Sequence, residues 1–268
     1  MLSGKELKGL DFENLDGLLK SRISLLNCSL DYDFKLNDYV FYLINEDVEF
    51  ELGHSDNVCF VVKDKVNLKV NNCSKKKGKF LFILFDSLNA FFGFSGEYDA
   101  KVVHLSDSEF NVLADSKSVK LSLKIFSDSN VESKANLAFI SRDSVCVNAS
   151  INAKKKSKSS FNLMSVNLDK FSASAVAKAD SDDSDVSVDL RCLHLGKSVE
   201  LIPVLKVNNN DVKASHSALS FGFDEGALFY FMSKGLSRKD AELLFAKETL
   251  GKYLKGKFFD EFIEKVSL

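Results

Sequence analysis

The stretch Val186-Ser187-Val188-Asp189-Leu190-Arg191-Cys192-Leu193-His194-Leu195 opens on a clean alternation between two faces, with Val186, Val188, Leu190, Cys192 and His194 on one of them. Two further runs follow at once, Val199–Val207 and Asp211–Leu219, and in the last Val212, Ala214, His216 and Ala218 share a parity. A period of two marks strands with one face in a core. Working back from there, Phe171–Ala179, Leu137–Val147 and Val119–Ile125 read the same way. So do the shorter sets Val66, Leu68, Val70, then Val48, Phe50, Leu52, then Val40, Tyr42, Ile44. Asn, Asp, Ser and Lys separate the runs, and no Asn-Gly or Asp-Gly hairpin turn lies between them. Short one-sided strands without hairpin turns point to a stacked solenoid rather than an up-and-down sheet. Taken in pairs they give a coil of about 24 residues, inside the usual range for solenoid repeats. The expected fold is mainly β, a right-handed parallel β-helix core.

Helical patterns flank this body. Leu7, Leu10, Phe12, Leu15, Leu18, Leu19, Ile23 and Leu26 recur every three or four residues, as on an amphipathic helix. After Ser220, Asp224 can cap a helix carrying Leu228, Phe229, Phe231 and Met232 that stops at Gly235. Ser237 can cap a second with Ala241, Leu243, Leu244, Phe245 and Leu250, and a third short one is expected over Glu261–Val266. The expected organisation is a helical segment over residues 1–36, a β-helix core over 37–220 and a helical module over 221–268, which covers the end of the last coil.

Composition excludes several functions. The net charge is −2, and only Arg22, Arg142, Arg191 and Arg238 among 36 basic residues are arginine. Neither the charge nor the arginine supply suits a nucleic-acid reader. The longest apolar run, Phe80–Phe85, is far short of the ~20 residues a membrane-spanning helix needs. The N-terminal residues lack the apolar stretch of a secretion signal, so the expected address is cytoplasmic. Five scattered cysteines without CxxC spacing offer neither a disulfide framework nor a self-contained zinc site.

The segment Ile202-Pro203-Val204-Leu205-Lys206-Val207, then Asp211-Val212-Lys213-Ala214-Ser215-His216-Ser217-Ala218, resembles the end of the core in the SufB/SufD family of iron–sulfur cluster scaffold proteins. Asp224-Glu225, Leu228-Phe229-Tyr230, Ser233-Lys234-Gly235-Leu236-Ser237 and Ala241-Glu242-Leu243-Leu244 continue the likeness. It covers residues 190–250 closely. Lys234 stands where the family has Arg, Ala214 where many SufD proteins have Cys, and Ser217 where SufB proteins have Glu. The resemblance implies a non-catalytic scaffold on which a transient iron–sulfur cluster is assembled. It also implies two partners: a SufC-type ABC ATPase docked on the 221–268 module, and a second SufB/SufD-type chain in a homodimer or heterodimer. Leu228, Phe229, Tyr230 and Leu236 are the expected partner-binding residues.

A nascent cluster needs thiolate, which imidazole can supplement. Cys192 and His216 are the candidate metal and cluster ligands: both take the apolar parity, and 24 residues, about one expected coil, separate them. The bland alternative for Cys192 is a small core residue. Alignment through Pro203 sets the family's cysteine near Val188 or Leu190, so Cys192 matches only if its strand has slipped by an even step. For His216 the likeness is direct, and a buried, hydrogen-bonded imidazole is the alternative. Three lookalikes are turns. Gly196-Lys197-Ser198 lacks the first glycine of a phosphate loop and leads into a strand, Asp180–Asp185 lacks the Gly and Glu of a calcium loop, and Lys154–Lys156 is a solvated patch. Two other functions remain open, a structural adaptor of the same complex with no ligands of its own, and a β-helical carbohydrate-binding or lyase protein.

Overall fold

The computed structural model describes residues 39–51, 57–73 and 77–265; the helix expected within residues 1–36 lies outside the described residues. Among the described residues fourteen strands form one continuous parallel sheet wound into a solenoid. They are β1 (Val40–Ile44), β2 (Val48–Glu51), β3 (Val58–Val62), β4 (Val66–Cys73), β5 (Gly78–Leu84), β6 (Leu88–His104), β7 (Ser108–Ser127), β8 (Glu132–Ser141), β9 (Val145–Ala153), β10 (Lys158–Asn167), β11 (Lys170–Ala179), β12 (Ser184–His194), β13 (Ser198–Val207) and β14 (Val212–Phe221). The even-numbered strands from β2 to β14, with the first half of β7, stack as one file. The odd-numbered strands, with the second halves of β6 and β7, stack as the other. β6 turns from one file to the other at Gly96, whose φ of 129° a side-chain-bearing residue rarely adopts. The expected run Leu137–Val147 is two strands, β8 and β9, because the chain bends between them at Arg142–Ser144.

Alternation follows from this winding, since one parity points into the tube. Its early coils are filled by phenylalanines, with Phe60 stacked on Phe82 at 5.4 Å and Phe82 against Phe110 at 4.9 Å. Each buried ring of this size contributes about 1.5–3 kcal/mol. Later coils narrow the inward side chains to Ala173, Ala175, Ala177 and Ala179 opposite bulkier neighbours. The coil does not keep one length. Register partners are 18 residues apart at β1–β3, 22 at β3–β5, 26 at β8–β10 and 28 at β12–β14.

On the outer side of the even-numbered file, one residue per coil forms an asparagine ladder. Asn89 donates to Asn67 at 3.0 Å, Asn111 to Asn89 at 3.0 Å, Asn136 to Asn111 at 2.7 Å and Asn162 to Asn136 at 2.8 Å. Asn67 itself donates to Asp47 at 2.9 Å. Corner turns stack as well. Asn130, Lys156 and Asp183 hold the same left-handed conformation in successive coils, with Lys154 against Asp128 at 3.1 Å and Lys155 against Asp182 at 3.3 Å. The lysine and aspartate runs are therefore complementary turns of adjoining coils. Gly196 likewise sits in a turn so close to Asp169 that a Cβ would lie 2.4 Å from its backbone.

Three helices follow, α1 (Glu225–Ser233), α2 (Arg238–Tyr253) and α3 (Lys257–Ile263). Asp224 caps α1 by accepting from the backbone of Gly226 and Ala227, and Ser237 caps α2 by accepting from Asp240. The third helix starts four residues before the expected Glu261. The module's place also differs from expectation. Ala246, Leu250, Leu254, Phe259 and Ile263 pack with Leu113, Ala138, Ile140, Met164, Val166 and Leu193 on the outer face of the even-numbered file. The helices lie along the side of the solenoid, because that face carries a contiguous set of apolar side chains from β7 to β12 that they bury.

Candidate functional site

β12 and β14 pair in register from Ser184↔Val212, which sets Val188 opposite His216 and Cys192 opposite Ser220. The expected spacing is thereby corrected: a coil here takes 28 residues, not about 24. Cys192 and His216 occupy neighbouring strands but stand four residues out of register, roughly 13 Å along the strand. The structure does not bring them together.

Their surroundings differ too. Cys192 is fully buried, in register with Ser165, and burial pushes its thiol up to about 12. A buried thiol of this kind packs as a small hydrophobic side chain. Cys59 is buried with its thiol pushed up in the same way, and Cys146 sits half-buried on the outer side of β9 beside Asn148. His216 takes the inward parity of β14, continuing the file Val186, Val188, Leu190. No described coil covers β14, so the imidazole is exposed at the mouth of the tube. Val199, Leu201, Leu205 and Val212 surround this mouth and rest on the core beneath. His194, in register with Asn167, is half-buried and its Nδ1 has no partner among the described residues. Among the described residues no group of three His, Cys, Asp or Glu side chains is placed to hold a metal ion.

A second feature lies on α1. Leu228 is fully buried and anchors the helix, whereas Phe229 and Tyr230 are 73% and 58% exposed. Met232, Leu236 and Leu244 of the same helical module are exposed as well, and Lys234 lies 5.5 Å from the Tyr230 ring centroid. Of the four expected partner residues, three are on this surface and Leu228 is beneath it. Met232 and Leu244 were missed; Met232 lies one turn after the buried Leu228 and Leu244 three residues after the buried Ala241, so helical spacing alone gave no signal of their exposure. Arg238 fixes α1 to α2 by a two-pronged ion pair to Glu225, at 2.7 and 3.2 Å, and also bonds Glu242 at 2.9 Å.

Residues 151–248 match the family model of the SufBD core domain, SUF system FeS cluster assembly. Over these residues the chain carries a SufBD core domain. No curated protein matches the chain. The SufBD match runs from the end of β9 through most of α2, so it contains both the mouth with His216 and the patch on α1. It ties the chain to iron–sulfur cluster assembly in the Suf system, a family of scaffold components. No helix among the described residues is long and apolar enough to cross a membrane. Tested against the chemistry of a SufBD cluster cargo, the mouth offers one accessible imidazole, and the position opposite it is filled by Val188 instead of a thiol.

Proposed function

We propose that this chain is a cytoplasmic, non-catalytic scaffold subunit that presents His216 to a nascent iron–sulfur cluster. It works with a SufC-type ABC ATPase and a second SufB/SufD-type chain. The observation that carries this reading is the position of His216: inward parity, uncovered last coil, inside the matched core domain. Cluster iron needs thiolate, and the buried Cys192 is unsuited to give it, so the second chain supplies the sulfur ligands and the pair is a heterodimer. The free edges of β13 and β14 carry unpaired backbone groups that a partner strand can match. The apolar patch on α1 is the ATPase dock, since exposed aromatic clusters of this kind mark partner sites.

The test is the iron and sulfide recovered with the anaerobically purified complex. His216→Ala lowers both, while Cys192→Ala leaves them near wild type. An unchanged yield in His216→Ala, with the complex intact, makes the chain a structural adaptor without ligands, a reading that Val188 and the buried Cys192 favour.

A further inference from the structure

The asparagine ladder stops at β10, and the reason is chemical. Each Nδ2 donates to the Oδ1 one coil earlier, so a further rung at position 189 would have to donate to Asn162. Asp189 stands there, and an ionised carboxylate only accepts. It takes its donors from elsewhere. Ser217 on β14 donates to it at 2.6 Å, Arg191 on its own strand lies at 2.9 Å, and the Tyr253 hydroxyl at the end of α2 donates at 3.3 Å. The Arg191 guanidinium also lies 5.7 Å from the Tyr253 ring centroid, closing the cluster. Asp189 is thus the point where the body of the solenoid, its edge strand and the helical module meet.

Both ends of α2 are tied. Its first residue, Arg238, holds Glu225 of α1, and its last, Tyr253, reaches Asp189. Sixteen helical residues make a rod of about 24 Å between the two joints. The strand at the far joint is the compliant one, because among the described strands β14 has only β12 as its sheet partner. Ser217 adjoins His216, so a shift of one moves the other through the backbone.

We propose that Asp189 is a positioning residue that couples α2 to the edge strand, so that a load on the α1 patch resets the strand bearing His216. The use of this coupling rests on the docking reading of α1; the coupling itself does not. Charge-assisted hydrogen bonds of this kind are about twice as strong as neutral ones, which makes the carboxylate a stiff joint.

The experiment is a double-mutant cycle on the full chain without any partner: Ser217→Ala, Tyr253→Phe and the pair. Hydrogen exchange of the β14 amides and the ring NMR signals of His216 are measured in each. Either single variant should speed β14 exchange by on the order of tenfold and shift the His216 signals, and the double variant should do no more than one of them. Tyr253 is on α2 and its hydroxyl donates to Asp189, not to β14, so a purely local role would leave β14 as in wild type. Unchanged β14 exchange in Tyr253→Phe, or additive effects in the double variant, overturns the coupling. Since no ATPase is present, that result would leave the docking reading standing, and a failure of docking would leave the cycle interpretable.

Discussion

His216 lies directly opposite Val188 on the neighbouring parallel strand, with one 28-residue coil between them. Strands in a sheet are about 4.8 Å apart, so a side chain at 188 is the nearest inward neighbour the imidazole has on β12. Val188 is therefore the place for a thiol if this chain were to hold iron by itself. Val188→Cys is close to volume-conserving, and the anaerobically reconstituted variant should retain several-fold more iron than wild type. Adding His216→Ala should cancel the gain. Equal iron in Val188→Cys and wild type would remove the mouth from consideration as a ligand position.

On α1 the buried and exposed residues should separate cleanly. Leu228→Ala should destabilise by about 2–4 kcal/mol, the usual cost of a large-to-small core change, read from the urea midpoint. Phe229→Asp with Tyr230→Asp should leave that midpoint near wild type and abolish capture of the ATPase. Removing residues 221–268 is a poorer test, because it strips Ile140, Met164, Val166 and Leu193 of their cover. That truncated chain should aggregate.

The ladder should carry stability from its middle. Asn111 donates to Asn89 and accepts from Asn136, so Asn111→Ala leaves two partly buried groups without their partners. A loss of about 1–3 kcal/mol is expected. A loss under a few tenths in equilibrium unfolding would mean that water replaces the ladder without cost.

His104 should make stability depend on pH. The ring is fully buried, its Nδ1 lies 2.7 Å from the Ser108 hydroxyl, and its Nε2 has no partner among the described residues. Burial lowers its pKa from 6.5 to about 3. Between those values the unfolded chain binds the proton and the folded chain does not, so stability falls as pH falls through this window and is flat above it for this group. About 2 kcal/mol should be lost by pH 5. His104→Asn should flatten that slope; a slope equal to wild type would assign the acid sensitivity to other groups.

The strands from Phe171 onward were legible because most of their outer neighbours are polar, so alternation survives in the sequence. β10 was not, since Leu163, Met164 and Val166 are buried on both sides, inward by the core and outward by α2 and α3. The same double burial in Ala138, Phe139 and Ile140 was the signal that a helical layer lies along this side. The parity of His216 could be read directly. Its partner could not, because an average coil of about 24 residues hides growth from 18 to 28, and a four-residue error keeps the parity while moving the neighbour from Val188 to Cys192.

That growth gives the molecule a taper with consequences for how solenoids of this kind meet. The first described strands, β1 and β2, are five and four residues long, whereas β13 and β14 have ten each. Stacking the wide rim on the first described coil would leave half of each long strand unmatched, so head-to-tail stacking of these coils has no snug fit at its joints. Two wide rims match in gauge, and a rim-to-rim pair closes on itself with nothing left over to add a third. Widening toward the C-terminus thus biases a sticky-edged solenoid toward stopping at two.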